Sequence, residues 1–232
     1  NNIKVINFED LGTGAPLTNY TINELYDTRL IPGKNILWGH KYFFIRDEFN
    51  DAKPRKFNSK VNSILITFGG TDPSNYTQLI FKKILPNCMK YKIYIYIVTG
   101  PGYLFKEALQ DEIKNCQYKN VEYTFQTGVI SSIMEKVDVA ISSKGRTVYE
   151  LAHMNIPSLV IAHHERENNH QFACQENGFI PFNQDQKHHS SIEFKQIFKK
   201  FILDTNYRKH MFHRMTKFSF ANNLDKIKKM IN

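Results

Sequence analysis

The chain has 232 residues, 41% hydrophobic and 23% charged, a composition typical of ordinary globular proteins and unlike that of disordered ones. Its apolar runs are far shorter than the roughly 20 residues of a membrane-spanning helix, so we expect a cytoplasmic protein without a membrane span. The net charge of +9 is concentrated towards the C-terminus, where helical spacing predicts a solvated basic face. Because no nucleic-acid-binding motif accompanies this charge, no nucleic-acid partner is expected. The three cysteines lack ligand or disulfide spacing, so no metal site or disulfide framework is expected.

The first 50 residues predict short strands without helices of comparable length between them. The predicted strands are residues 3–10, 21–23 and 36–39. The first of them ends in two acids, Glu9 and Asp10. We therefore interpret residues 1–50 as the C-terminal part of a first α/β domain. Residues 51–60, which are polar and include Pro54, are the predicted linker.

From residue 61 the strands alternate with helices, which predicts a parallel sheet with right-handed crossovers. The predicted strands are residues 61–68, 92–98, 121–125, 137–141, a segment after Pro157, and 179–182. The first predicted helix begins near Ser74 or Asn75 and ends near Leu85. The next predicted helices are residues 103–114, residues 130–136, one that starts at Thr147, and residues 168–177. Basic amphipathic helices follow from Ser191. Residues 61–232 are thus predicted to form a doubly wound, Rossmann-like domain, with the last helices packed across it or against the first layer.

The turn Ser142–Arg146 carries the strongest signal for a binding site. It combines two hydroxyls, a glycine and two cations between a buried strand and a helix that leaves at Thr147. Free amides and the helix dipole favour an anion at such a place, so we predict a phosphate-binding turn. The spacing is not that of a P-loop, so an NTPase with that loop is not supported. Glu150, one turn into the helix, is predicted to accept hydrogen bonds from ribose hydroxyls, with a helix-dipole role as the alternative.

Two other polar segments follow strands at the same predicted sheet edge. In Gly69–Asp72 the glycines permit a ligand to approach the backbone, but Asp72 in a helix-capping turn explains the pattern equally well. Residues 163–171 are dense in polar side chains suited to a sugar, although adjacent His163 and His164 point in different directions and no metal-binding spacing appears. His188 and His189 are predicted to be solvated. No nucleophile, catalytic triad or catalytic carboxylate pair is apparent.

Five segments of the chain, in order, resemble the nucleotide-sugar hydrolase family typified by PseG, the UDP-sugar hydrolase of pseudaminic acid synthesis, and its SpsG-like relatives in polysaccharide biosynthesis. The C-terminal half is more remotely similar to the glycosyltransferase MurG. The segments are NFEDLG (7–12), WGHKYFFIRDEF (38–49), TFGGTDPSN (67–75), SSKGRTVYELAHMNIPSLVIA (142–162) and ERENNHQFACQENGF (165–179).

The resemblance implies a GT-B architecture, in which two Rossmann-like domains hold a nucleotide-sugar in the cleft between them. It assigns Gly69, Gly70 and Asp72 to the cleft wall, Ser143, Gly145, Arg146 and Thr147 to the diphosphate, Glu150 to the ribose, and Asn169 and Gln171 to the sugar or phosphate. In the family, water attacks the anomeric carbon with inversion and UDP leaves. No cofactor or metal is expected.

One feature of the family has no counterpart in this sequence. PseG-like enzymes carry a GxGHxxR segment whose His is the proposed general base. The Gly39–His40 pair lies in the domain-joining segment, so we assign it no catalytic role. We therefore expect this chain to be a portion of a longer polypeptide, one that also carries a cytidylyltransferase in some relatives. The expected function is the nucleotide-sugar-binding part of a hydrolase or glycosyltransferase; the alternative is a catalytically silent binding or scaffolding module.

Overall fold

Two parallel β-sheets organise the chain in the computed structural model, which describes residues 3–162, 165–182 and 191–231. The smaller sheet has the order β1-β2-β3 and consists of β1 (Ile6–Phe8), β2 (Tyr20–Asn23) and β3 (Ile36–Trp38). The larger sheet has the order β6-β5-β4-β7-β8-β9. Its strands are β4 (Ser63–Thr67), β5 (Tyr94–Thr99), β6 (Val121–Phe125), β7 (Val139–Ser143), β8 (Ser158–Ile161) and β9 (Phe179–Phe182).

Helices cover both faces of the larger sheet. They are α1 (Tyr76–Tyr91), α2 (Lys106–Asn115), α3 (Ser131–Met134), α4 (Thr147–His153), α5 (Glu165–Asn168), α6 (Ser191–Leu203), α7 (Thr205–Met215) and α8 (Asn223–Ile231). Every residue of β4, β7 and β8 is buried, as expected of central parallel strands covered on both faces. Separate apolar clusters form on the two sides, so the predicted doubly wound arrangement is what the sequence folds into.

The predicted strand 137–141 is displaced by two residues. In the structure β7 includes Ser142 and Ser143, which pair with Val160 and Ile161 of β8. The prediction of a turn at these serines was wrong because parallel pairing uses backbone groups, and a small hydroxyl side chain fits a buried ladder position. The turn therefore consists of Lys144, Gly145 and Arg146.

Two predicted helices also differ from the structure. Residues 168–177 do not form one helix: α5 ends at Asn168, and only a 3-10 turn, Gln175–Asn177, follows. From this turn, Asn177 Nδ2 donates to the carbonyl of Phe172 (2.8 Å), an acceptor that would pair with a backbone amide in a continuous helix. Helix α1 continues through Pro86 to Tyr91, well past the predicted end at Leu85, because its apolar face keeps packing on the sheet.

The C-terminal helices pack in both of the predicted ways. Helices α6 and α1 contact each other over the larger sheet, whereas α8 returns to the N-terminal part, where Asn223 donates to the carbonyl of Phe43 (2.7 Å). Residues 51–60 pack against the part of the chain that forms the larger sheet, where Arg55 pairs with Asp138 at 3.0 Å. No helix among the described residues is both long and apolar enough to cross a bilayer. The predictions for His163, His164, His188 and His189 lie outside the described residues.

Candidate functional site: a cleft at the switch point of the larger sheet

The order of the strands decides where a ligand can bind. The chain passes from β4 to β5 and β6 on one side, and then returns to place β7 on the other side of β4. Ligands of open α/β sheets bind outside the carboxyl ends of the strands at such a reversal. The loop after β4 contains Gly69 and Gly70, and the loop after β7 contains Gly145 and Arg146. Two segments that the sequence analysis singled out separately therefore meet at the switch point.

Three adjacent cavities form one cleft along this edge. The first, about 390 Å³, has an apolar wall that includes Phe43, Phe44 and Ile130, and it also contains Glu150. The second, about 380 Å³, shares four wall residues with the first: Gly69, Gly70, Arg146 and Thr147. The third, about 340 Å³, is joined to the second through Glu9 and Arg166. The cleft thus runs from an apolar end to a polar end past a shared middle wall.

The loop after β4 leaves space for a ligand. Gly69 has a φ of +78°, which disfavours any residue with a Cβ. Gly70 has an ordinary φ, and a Cβ on it would meet nothing within 4 Å. The opposite holds for Gly100 in the next loop, where a Cβ would come within 2.5 Å of the Cα of Gly70. Gly100 is therefore required by the packing of the chain itself, whereas Gly70 borders open cleft.

Asp72 does not line any of these three cavities. Its side chain is 1% exposed, and its two carboxylate oxygens accept hydrogen bonds from the amides of Tyr76 (2.9 Å) and Thr77 (2.7 Å). Asp72 thus satisfies two of the free amides at the start of α1. Its geometry is that of the helix-capping alternative.

Helix α5 and the residues after it hold the loop after β7 in place. The amide of Lys144 donates to Glu167 Oε2 (3.2 Å), and the carbonyl of Lys144 accepts from His170 Nδ1 (2.8 Å). A Cβ on Gly145 would lie 3.0 Å from Glu167 Oε1, so a larger residue here would crowd the carboxylate. Burial lowers the pKa of Lys144 and of His170, and the Glu167 carboxylate opposes both shifts. Ser143 Oγ accepts a long hydrogen bond from the amide of Gly145 (3.4 Å).

Arg146 is paired with carboxylates from the N-terminal part of the chain. Its Nε donates to Glu9 Oε1 (3.0 Å), and its Nη2 contacts Glu24 Oε1. Burial raises the pKa of Glu24, and the Arg146 guanidinium opposes that rise. The side chain of Arg146 is nevertheless half exposed and lines both the first and the second cavity. Its charge is therefore shared between the carboxylates and the cleft.

Glu150 is 6% exposed at the wall of the first cavity. Its Oε1 accepts a hydrogen bond from Arg46 Nε (2.9 Å), and Arg46 Nη1 also contacts Glu48 at 2.8 Å. Burial raises the pKa of Glu150, and the Arg46 guanidinium opposes part of that rise. This ion pair joins residues 104 positions apart in the chain, and it gives Glu150 a partner that the helix-dipole alternative does not include.

Of the two remaining predicted residues, only Asn169 lies at the polar end of the cleft. Asn169 lines the third cavity beside Tyr26 and Arg166. Gln171 does not line the three cavities; its Nε2 donates to Thr28 Oγ1 (3.0 Å) on the surface between the two parts of the chain. The structure therefore brings Gly69, Gly70, Ser143, Gly145, Arg146 and Thr147 together, places Glu150 and Asn169 at the two ends, and leaves Asp72 and Gln171 outside.

Sequence reasoning missed the charged residues that the N-terminal part contributes. They are Glu9, Glu24, Arg46 and Glu48. Three of them lie in segments already noted, NFED and IRDEF, but no spacing rule connects an acid at position 9 with an arginine at position 146. Among the described residues, no group of three His, Cys, Asp or Glu is placed to hold a metal ion.

Comparison with known proteins fits this geometry. Residues 64–177 match the model of the glycosyltransferase family 28 C-terminal domain. The matched family 28 region runs from the second residue of β4 past the end of β8, and so it includes both loops of the switch point. The predicted similarity to a glycosyltransferase-type C-terminal half is thereby confirmed.

Two curated proteins are similar over stretches longer than the family 28 match. The spore coat polysaccharide biosynthesis protein SpsG of Bacillus subtilis is 29% identical over 177 residues, covering 71% of this chain and 50% of SpsG. The uncharacterized protein MJ1062 of Methanocaldococcus jannaschii is 30% identical over 139 residues, covering 55% of this chain and 27% of that protein. The chain thus spans half or less of the length of these relatives.

Solved structures confirm the fold class. Acinetobacter baumannii MurG superposes with a TM-score of 0.60 at 14% identity, covering 92% of this chain and 60% of MurG. The pneumococcal O-GlcNAc transferase GtfA, solved in complex with UDP and GlcNAc, gives a TM-score of 0.56 at 14% identity, covering 94% of this chain and 46% of GtfA. The parallel, Rossmann-like sheet therefore has the fold of GT-B glycosyltransferases, as predicted.

Proposed function

We propose that this chain binds a nucleotide-sugar, with a UDP-sugar as the leading candidate, in the cleft at the switch point. In the complete protein the sugar–phosphate bond at the anomeric carbon would be cleaved, by hydrolysis or by transfer, in the synthesis of a surface polysaccharide or of a nonulosonic acid such as pseudaminic acid. The observation that carries the proposal is the shared wall of the first two cavities, where Gly69 and Gly70 face Arg146 and Thr147.

The lining of the cleft suggests the orientation of the ligand. The apolar walls of the first cavity suit a nucleobase, and Glu150 in that cavity suits the ribose hydroxyls. The shared wall then takes the diphosphate, with the Thr147 hydroxyl and the Arg146 guanidinium as donors. The sugar falls in the second cavity, towards Glu167 and His170.

The relatives support the choice of ligand. SpsG is named for polysaccharide biosynthesis, and GtfA was solved with UDP and GlcNAc, which makes uridine nucleotides the first ligands to test. In the proposed reaction the bond between the anomeric carbon and the phosphate oxygen breaks, and UDP leaves with the electron pair. Hydrogen-bond donors aimed at the diphosphate stabilise the charge that develops there.

Isothermal titration calorimetry with UDP and UDP-N-acetylglucosamine tests binding directly. We expect micromolar to low millimolar affinity for both, and no heat from either at millimolar concentration would refute the proposal. A coupled assay for released UDP separates an active protein from the alternative of a catalytically silent module. Binding of the UDP-sugar without release of UDP by this chain would favour the silent module.

The ribose assignment needs variants of its own. We expect Glu150→Gln and Glu150→Ala to weaken UDP roughly tenfold or more while leaving inorganic diphosphate within about twofold, because only UDP carries the ribose. Glu107→Ala is the matched control: Glu107 is an exposed acid in the first turn of α2, away from the cleft. If Glu150 acted only through the helix dipole, its variants would change UDP and diphosphate equally.

A further inference from the structure

Glu9 lies at the carboxyl end of β1, and the proposed function gives it no role. Its side chain is about one-fifth exposed and lines both the second and the third cavity. It is therefore a carboxylate at the boundary where the second cavity opens into the polar end of the cleft.

Both oxygens of the Glu9 carboxylate accept hydrogen bonds from arginines in the part of the chain that forms the larger sheet. Glu9 Oε1 accepts from Arg146 Nε (3.0 Å), and Glu9 Oε2 accepts from Arg166 Nη2 (3.0 Å). The same Nη2 group also donates to the Glu9 carbonyl (3.0 Å), and Arg166 Nε donates to the Tyr26 hydroxyl (3.2 Å). Glu9, which directly follows β1, thus binds two guanidinium groups that line the second cavity.

The backbone at Glu9 is held in an unfavourable conformation. Its φ is +54°, in the left-handed region that residues with a Cβ rarely adopt. Its amide donates to the carbonyl of Ile22 (2.9 Å), so the smaller sheet anchors this conformation. Strained positions of this kind are found preferentially at functional sites, where the surrounding structure maintains them.

The neighbouring acid has a different set of contacts. The side chain of Asp10 accepts hydrogen bonds from the amide of Gly12 (2.7 Å) and from Asn7 Nδ2 (2.9 Å), both within three residues of it in the chain. Glu9 and Asp10 are thus acids at adjacent positions, but the side chain of Asp10 makes local hydrogen bonds and that of Glu9 reaches across the cleft.

We propose that Glu9 is a positioning residue for Arg146 and Arg166, and that it orders their guanidinium groups to receive the diphosphate of the ligand. The inference rests on the proposed function, since it concerns how the same cleft holds phosphate. An arginine whose rotamer is already fixed loses less conformational entropy when it binds a phosphate.

The experiment compares the contribution of the diphosphate in matched variants. Dissociation constants for uridine and for UDP are measured on the same samples of the wild type, Glu9→Gln, Glu9→Asp and Asp10→Asn. The dissociation constant for uridine divided by that for UDP reports the contribution of the diphosphate alone. Any unfolded fraction of a variant cancels in this ratio. We expect the ratio to fall roughly tenfold in Glu9→Gln and to stay within about twofold in Asp10→Asn. Glu9→Asp keeps the charge but is one methylene too short to hold both arginines, so its ratio should also fall.

Two results would overturn the proposal. If Glu9→Gln bound UDP more tightly than the wild type, its carboxylate would be competing with the diphosphate rather than positioning the arginines. If Glu9→Gln and Asp10→Asn changed the ratio equally, only net charge would matter. A wild type that bound neither uridine nor UDP would instead refute the proposed function, and this inference with it.

Discussion

Arg46 is the residue whose removal best tests how the cleft is held together. It comes from the N-terminal part of the chain and pairs with Glu150 of α4, which is 6% exposed, and with Glu48. Replacing Arg46 with Met keeps most of the apolar stem but leaves the Glu150 carboxylate buried without its cation. We expect Arg46→Met to destabilise the fold through Glu150 in particular.

The size of the effect follows from the burial of the two partners. Removing one member of a fully buried ion pair costs about 3–5 kcal/mol. The side chain of Arg46 is 54% exposed, so solvent already screens part of the attraction, and we expect about 2 kcal/mol at pH 7. The double variant Arg46→Met/Glu150→Gln should recover most of this loss, because no charge then remains buried at position 150.

The dependence on pH distinguishes this mechanism from a simple loss of packing. Burial holds the pKa of Glu150 above its ordinary value of 4.5, and the loss of Arg46 raises it further. A carboxyl whose pKa is higher in the folded state than in the unfolded state destabilises the fold as the pH rises from the lower pKa to the higher one. The penalty of Arg46→Met should therefore be small at pH 4 and reach its full size at pH 7.

Urea denaturation of the wild type, Arg46→Met, Glu150→Gln and the double variant at pH 4, 5.5 and 7 measures both quantities. A destabilisation by Arg46→Met of the same size at all three values of pH would refute the electrostatic explanation. So would a double variant as unstable as the sum of the two single ones, because the two side chains would then be independent.

Three further expectations concern the glycines, the helix cap and a buried histidine. Gly100→Ala should lose about 1–3 kcal/mol of stability in thermal or urea denaturation because its Cβ would collide with Gly70, whereas Gly70→Ala should keep the stability of the wild type and lose affinity for UDP in calorimetry. Asp72→Ala should lose about 1–2 kcal/mol and leave UDP binding unchanged, because Asp72 caps α1; a large loss of affinity at full stability would return Asp72 to the cleft. Burial lowers the pKa of His153, whose Nδ1 accepts from the amide of Phe220, so stability should fall as the pH is lowered from about 6.5, and less so in His153→Gln.

The fold class could be predicted because the larger sheet is encoded by local patterns. Strands such as β4 and β6 are short apolar or alternating runs bounded by turn residues, and each is followed by a helical pattern. Their ends were harder to place. The serines at the end of β7 look like turn residues, but pairing with β8 keeps them in the sheet.

The candidate site could be predicted only where its residues are neighbours in the sequence. The loop after β7 was identified because its hydroxyls, glycine and cations are consecutive. The role of Asp72 stayed open because a cleft wall and a helix cap use the same turn, and only the hydrogen bonds to Tyr76 and Thr77 favour the cap. Gln171 was assigned to the ligand, but it contacts Thr28, a partner more than 140 positions away.

By itself, the sequence determined the alternation of strands and helices, the burial of the central strands and the polar turns at their carboxyl ends. Each of these features depends on residues that are close together in the sequence. The tertiary structure alone decided that Glu9 and Glu24 would hold Arg146, and that Arg46 would hold Glu150. These pairs join positions more than 100 residues apart, and the free energy of an ion pair depends on the distance and burial of its charges rather than on their separation in the chain.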